Sequence, residues 1–298
     1  MPDKVELSVI IVNYNGAAYI PECLESVLKS EDVLFEVIVV DNASPDNSLS
    51  VLERYRDRVK LIASPVNGGF SAGNNIGIDA SSGDYVCLLN NDTVVNPDTL
   101  ATLLNYLKQN SSVGAVGPKL LNADGSPQYT GSVLGHWQYK TGKARKVGFL
   151  SGAAFMTRRS LLDQIGGLDE NYFFYNEDLD LCKTILKAGY TLVYLPTAEL
   201  IHFGGVATAT RKAASIIEGY RGGLYFCSKH YPKAIFRLYQ FILGLYFLIR
   251  LAIYFPFSVF SDHYQDLFRA YLTCWRILLK NDLTLKKAKQ KTAAAKDR

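Results

Sequence analysis

The sequence predicts an α/β fold: a mostly parallel sheet flanked by helices, followed by a helical, hydrophobic extension toward the C-terminus. Three observations predict it. Over the first 109 of 298 residues, apolar runs of strand length alternate with helix-patterned stretches. Each of the main runs breaks into Asn, Asp or Gly at its C-terminal end, the edge at which open parallel sheets bind ligands. Beyond about residue 210 the composition turns apolar and finally basic.

Residues 7–12, LSVIIV, read as a buried strand, with Asn13 to Gly16 as the turn after it and a helix pattern over about 17–29. Residues 35–40, FEVIVV, form a second strand that ends in Asp41, Asn42, Ala43 and Ser44. Pro45 and Asp46 open a second helix, reaching about Arg56, and Lys60 to Ala63 is a third, shorter strand. Residues 64–83, SPVNGGFSAGNNIGIDASSG, form a Gly- and Asn-rich loop leading into a helix. Tyr85 to Leu89 is a fourth strand, broken at once by Asn90, Asn91 and Asp92. Asn96 caps and Pro97 begins a helix to Gln109. Strands this uniformly apolar call for a parallel sheet covered on both faces.

After Gly114 the alternation stops. Val113 to Pro118 reads as a strand, and Asn122 to Lys146 as a long loop or hairpin of the kind that covers a site. Residues 147–157 resume strand character, and a short helix from Arg158 to Ile165 is stopped by Gly166-Gly167. The segment Leu168 to Asp180, LDENYFFYNEDLD, precedes a helix to about Ala188. Tyr190 to Leu195 is a strand, with His202 shortly after it. Ile216 to His230 is helical, and residues 238–260 are 23 residues with one charge, Arg250, and a proline at 256.

Composition excludes several classes. Hydrophobic residues make up 48%, enough for a substantial core and too many for wholesale disorder. Five scattered cysteines, with no CxxC pair, argue against a zinc ribbon or disulfide framework and suit a reducing compartment. No Walker motif is present, no GxGxxG follows the first strand, and no Ser–His nucleophile-elbow context appears. The N-terminus shows no basic-then-apolar leader pattern. The net charge of +4 belongs to the end of the chain: Arg276 to Arg298 holds eight Lys/Arg against two Asp, leaving 24 basic and 26 acidic residues elsewhere.

The candidate chemistry lies at the strand ends, where Asn13, Asp41, Asn67, Asn74 and Asp92 share one edge of a parallel sheet. Asp41 is able to accept the imide N–H of a pyrimidine; its alternative is an Asx turn with Ser44. Gly68, Gly69 and Gly73 let backbone approach ribose or phosphate closely. Asp92 beside two amides suits a divalent metal held against a phosphate. His202 would add a nitrogen ligand, giving an oxygen–nitrogen set for Mg²⁺ or Mn²⁺ completed by diphosphate oxygens and water. The acidic segment 169–180 offers a general base whose pKa a second carboxylate raises, or simply acids favoured at a helix N-terminus. Phe173, Phe174 and Tyr175 are either a wall for a sugar or core.

Taken in order, SVIIVNYNG at 8–16, VVDNASPDNS at 39–48, NGGFSAGNN at 67–75, LLNNDT at 88–93, SGAAFMTRR at 151–159, GGLDENYFFYNEDLDLC at 166–182 and the turn 202–205 resemble family 2 glycosyltransferases of the GT-A fold, rhamnosyltransferase-like bacterial branch. The resemblance covers about residues 7–205. It implies a GT-A nucleotide-diphospho-sugar transferase fold in a catalytic domain over 1–210, a helical, hydrophobic, membrane-associated region over 211–275 and a basic tail over 276–298. It implies inverting, metal-dependent transfer from a dTDP- or UDP-linked sugar, first choice dTDP-rhamnose, to a lipid-linked or cell-surface glycan. Asn13, Asp41, Asn67, Gly68, Asn74, Asn90 and Asn91 would bind the donor. Asp92 and His202 would hold Mg²⁺ or Mn²⁺, with Asn90 standing where the family motif has Asp. Asp178 would be the base, and Glu177 would orient the acceptor.

The same resemblance places the protein on the cytoplasmic face of a bacterial inner membrane, peripheral or monotopic, with the basic tail on anionic lipid. For 238–260, an amphipathic or re-entrant segment leads, a true span is second and a homo-oligomer interface third. A central arginine costs a span roughly 2.5–3.5 kcal/mol. Nucleic acid is not an expected partner. The alternatives are the same fold with a UDP-linked galactose, N-acetylglucosamine or galactofuranose donor, a nucleotidyltransferase releasing pyrophosphate, or a silent binding protein.

Overall fold

A computed structural model describes residues 4–131, 133–204 and 212–284. Gly205, Arg211 and residues 285–298 of the basic tail lie outside the described residues. The chain divides into two compact units, Met1–Asp169 with Asp178–Ala207, and Glu170–Glu177 with Thr208–Arg298.

In the first unit, β1 (Leu7–Asn13), β2 (Phe35–Asp41), β3 (Lys60–Ala63) and β4 (Tyr85–Asn90) run parallel in the order β3-β2-β1-β4. The sheet continues through β9 (Ala154–Arg158), β6 (Val113–Leu121), β10 (Thr191–His202) and β5 (Thr93–Val95). β9 is antiparallel to β4 and β6, and β5 is antiparallel to β10, so the sheet is mixed. Two short strands complete it: β7 (Pro127–Gln128) on β6 and β8 (Arg145–Val147) on β10.

Both faces of β1 are dry, as its unbroken apolar run requires. Leu7, Val9 and Ile11 pack with α1 (Ile20–Val27) and α4 (Thr99–Gln109) on one face; Ile10 packs with α3 (Phe70–Asp79) on the other. The helix α3 approaches the sheet through two glycines one turn apart. A Cβ at Gly77 would stand 2.3 Å from Ile10 Cγ2, and one at Gly73 2.7 Å from Val12 Cγ1. Gly73 therefore serves helix–sheet packing, a second reason for glycine in the motif.

Several elements differ from the sequence expectation. The second helix is only α2 (Ser48–Leu52) followed by a 3₁₀ turn. Residues 147–157 are not one strand: β8 ends at Val147 and β9 starts at Ala154, with a loop between them. The strand expected to stop at Leu195 runs on to His202. Pro196 has no N–H for the ladder, and the register against β6 shifts between Leu195 and Glu199 before pairing resumes. His202 is thus the last residue of β10, opposite Thr93 of β5. The unit is completed by α5 (Arg159–Ile165), ended by Gly166 at φ 81°, and most of α6 (Glu177–Lys187).

The second unit contains α7 (Lys212–His230), α8 (Lys233–Phe257) and α9 (Asp262–Lys280). Their core is Leu224, Leu243, Phe247, Tyr271, Cys274 and Ile277. Segment 170–177 packs there too: Tyr172 is buried with its ring 5.0 Å from that of Tyr225, and Asn176 Nδ2 donates to the Gly219 carbonyl. By length and composition α8 is long and apolar enough to cross a membrane, yet only 17% of its apolar window is buried within the protein. Phe241, Ile242, Leu245, Leu248, Ile249 and Phe255 are exposed along it.

Arg250, the lone charge of the 238–260 segment, is satisfied by its own helix. Its Nε donates to Tyr246 Oη at 2.9 Å and its Nη1 to Tyr254 Oη at 3.0 Å, with the guanidinium over the Tyr246 ring.

Candidate active site

The parallel register aligns the polar strand ends. Asn13 pairs with Asp41, and Val12 with Asn90. Asn13 and Asp41 are fully buried, and Asn13 Nδ2 donates to Asp41 Oδ1 at 2.9 Å. Asp41 also accepts from the Ser44 hydroxyl at 2.6 Å and the Ser44 N–H at 3.0 Å, which is an Asx turn. Asn91 Nδ2 donates to Asn13 Oδ1 at 2.8 Å, linking the turn after β4 to the ends of β1 and β2. The turn residue Gly16 leaves room for this amide pair: a Cβ there would lie 2.1 Å from Asn91 Nδ2 and 2.4 Å from Asn13 Oδ1.

The NGG loop is held by Asn42, a residue that the sequence alone marks only as part of a turn. Its Nδ2 donates to Asn67 Oδ1 and the Gly69 carbonyl, and its Oδ1 accepts from Gly68 N–H at 3.1 Å. Asn74 is buried in α3, with Nδ2 on the Phe70 carbonyl one turn back. It is the neighbouring Asn75 that reaches across, pairing both ways with the Leu168 backbone at 2.9 Å. Only the doubled asparagine in the motif hints at two different jobs.

Asp92 and His202 meet because β5 follows Asp92 directly and pairs antiparallel with the end of β10. Phe203 N–H donates to the Asp92 carbonyl, closing the corner. Asp92 is 9% exposed, and its Oδ1 lies 3.4 Å from His202 Nε2. Asn90 Nδ2 lies 3.4 Å from the same nitrogen. One carboxylate oxygen and one imidazole nitrogen facing each other fit a divalent ion that takes its other ligands from phosphate and water. Among the described residues there is no cluster of three or more His, Cys, Asp or Glu.

Asp178 arrives at the same edge through the loop before β9. Its Oδ2 accepts from Gly152 N–H at 3.2 Å and its Oδ1 from Leu179 N–H at 2.8 Å. The next residue of that loop, Ala153, accepts from Asn90 N–H at 3.0 Å. A Cβ on Gly152 would touch both Asp178 and Phe70, the first residue of α3. Burial raises the pKa of Asp178, and the hydrogen bonds from Gly152 and Leu179 oppose the rise. From sequence, a neighbouring carboxylate is the expected cause of a raised pKa; the main cause is loss of solvent. Glu177, the residue before it, is buried.

A polar strand edge, a carboxylate–imidazole pair and a half-buried carboxylate with raised pKa thus lie within one sheet unit, and the sequence comparisons give the class of protein, a glycosyltransferase. The chain matches the family model of glycosyl transferase family 2 over residues 8–166 and belongs to that family. It is 29% identical over 245 residues, 70% of this chain and 80% of the relative, to the N-acetylglucosaminyl-diphospho-decaprenol L-rhamnosyltransferase of Mycobacterium tuberculosis. Two solved structures share the fold. The mannosyltransferase PcManGT from Pyrobaculum calidifontis, in complex with GDP-Man and Mn²⁺, has a TM-score of 0.61 at 17% identity, over 94% of this chain and 88% of that one. S. aureus TarS 1–349 in complex with UDP-GlcNAc has a TM-score of 0.59 at 22% identity, over 75% and 66%.

Proposed function

We propose that the protein transfers a hexose, rhamnose as first choice, from a dTDP- or UDP-linked donor to the glycan of a polyprenyl-diphosphate-linked acceptor, with inversion at the transferred carbon. The observation that carries this reading is the joining of both chemical groups at one loop: Ala153 accepts from Asn90, beside the Asp92–His202 pair, while Gly152 donates to Asp178. The rhamnosyltransferase relative supports the sugar and the lipid-linked acceptor.

Asp178 would take the proton of the acceptor hydroxyl as its oxygen bonds to the donor's anomeric carbon. The bond from that carbon to the diphosphate oxygen breaks, and its electron pair leaves with the nucleoside diphosphate. No covalent enzyme intermediate is required. Mg²⁺ or Mn²⁺ held by Asp92 and His202 would supply positive charge to the departing diphosphate. Asn13, Asp41, Asn91 and the Asn67–Gly69 loop would line the nucleoside, and Asn90 would steer the diphosphate side.

The exposed apolar face of α8 supports a place at a membrane surface, where a polyprenyl acceptor resides. Arg250 is no obstacle to that, since two tyrosine hydroxyls already serve it. The test combines the two parts. Purified protein is mixed with labelled dTDP-rhamnose and anionic vesicles carrying polyprenyl-diphospho-N-acetylglucosamine. The expected result is that the protein floats with the vesicles and the label moves to the lipid. Label accepted only from a UDP-sugar would refute rhamnose, and pyrophosphate release from a nucleoside triphosphate would refute glycosyl transfer.

A further inference from the structure

No motif singles out Gln128, yet its amide is wedged against the backbone and ring of His202. Its Nε2 donates to the His202 carbonyl at 3.1 Å and to Asn122 Oδ1 at 3.0 Å. With both N–H bonds directed at acceptors, the orientation of the amide is fixed, and its Oε1 is the atom 2.6 Å from His202 Nδ1. Nδ1 must therefore carry the hydrogen. In a neutral ring the lone pair is then on Nε2, the nitrogen that faces Asn90 Nδ2 and Asp92 Oδ1. The Asn90 N–H suits that lone pair. The Asp92 carboxylate does not: two Lewis bases point at each other across 3.4 Å, an arrangement that a proton on Nε2 or a metal cation between them relieves.

We infer that Gln128 is a positioning residue: it locks His202 in the Nδ1–H tautomer and so presents Nε2 as a metal ligand. The inference rests on the proposed metal role of Asp92 and His202. Two features of the fold serve it. Gln128 sits on β7, whose pairing with Leu120 of β6 brings it beside the end of β10. Gly204, at φ 65°, lies against both partners, and a Cβ there would be 3.4 Å from Gln128 Nε2 and 3.5 Å from His202 Cε1. An imidazole that ligates metal through one nitrogen regularly donates its other N–H to an oxygen, and loss of that oxygen typically costs 10–100-fold in metal affinity.

The tautomer can be read without metal. Protein labelled with ¹⁵N-histidine is examined by two-bond ¹⁵N–¹H correlation at a pH where the rings are neutral, with His202→Ala assigning the signal among the four histidines. Wild type is expected to show Nδ1–H. Gln128→Leu is expected to shift His202 toward Nε2–H and weaken binding of Mn²⁺ with nucleoside diphosphate about 10–100-fold. Gln128→Glu keeps an acceptor oxygen and is expected to retain the Nδ1–H signal. An Nε2–H tautomer in wild type, or unchanged tautomer and Mn²⁺ affinity in Gln128→Leu, overturns the inference. Wild type with Nδ1–H but no Mn²⁺ binding overturns the metal reading beneath it.

Discussion

Asp178→Asn is expected to give a protein that melts at a higher temperature than wild type at pH 7 and transfers almost no sugar. The stability half follows from linkage. Burial raises the folded-state pKa of Asp178 above its unfolded value, so folding favours the protonated acid. Its favourable contribution is present below the unfolded pKa and is lost as pH rises through the folded one. At pH 7 the ionised carboxylate is held in a poorly solvated place at a cost, and Asn has the same shape without the charge. The Asn oxygen still accepts from Gly152 N–H, while its NH2 forgoes the bond from Leu179 N–H, so the gain is smaller than removal of the charge alone would give. The gain in melting temperature should narrow as pH falls through the raised folded-state pKa, below which wild type is protonated as well. Sites that work under strain or poor solvation commonly gain stability when disarmed.

The activity half follows from the need for a proton acceptor. A positioned general base contributes about 10²–10⁴-fold, and Asn cannot take a proton. In wild type, kcat/KM should rise with pH through an inflection above the ordinary carboxylate range. A variant with full activity contradicts the assignment, and a melting difference from wild type that does not change with pH contradicts the raised pKa. Donor binding should survive, because no nucleoside-lining residue is altered.

Asp92→Ala is expected to abolish the metal dependence of nucleoside diphosphate binding while leaving the fold intact. The corner is built by main chain: the Asp92 carbonyl accepts from Phe203 N–H, and β5 pairs with β10 whatever the side chain. Removing the carboxylate leaves His202 Nε2 and the neutral amide of Asn90, a poor set for a hard cation. Loss of a direct ligand should exceed the 10–100-fold typical of losing an outer partner. Titration calorimetry of dTDP or UDP with Mn²⁺, against the same titration in EDTA, reads the effect. Affinity that stays metal-dependent in the variant refutes the role.

How much of this was legible in the sequence depends on what local pattern encodes. The first four strands and their polar ends are visible because each is an apolar run with its own turn chemistry, and parallel pairing then puts Asn13, Asp41 and Asn90 on one edge without further information. The placement of His202 was hidden by Pro196, which interrupts the ladder of β10 and makes a twelve-residue strand look like a six-residue one. Its neighbour strand β5 is three residues long and has no signature of its own. Gln128 was beyond reach for a stronger reason: β7 is a two-residue strand inside a polar insert, defined only by what it pairs with. Asn42 and Asn75 likewise act through backbone groups 26 and 93 residues away. The partners of Arg250 were hidden too, since hydrophobicity scales charge it as a bare guanidinium while Tyr246 and Tyr254 stand one turn away on either side.

The stereochemistry of the product tests the central claim most directly. With an α- or β-linked nucleotide sugar of known configuration, the anomeric proton coupling and carbon–proton coupling of the product are read by NMR. Single displacement at the site of Asp178 predicts that every transferred sugar has the configuration opposite to that of the donor, with one nucleoside diphosphate released per transfer. A product with the donor's own configuration would contradict a single displacement in which the acceptor oxygen, deprotonated by one base, attacks that carbon.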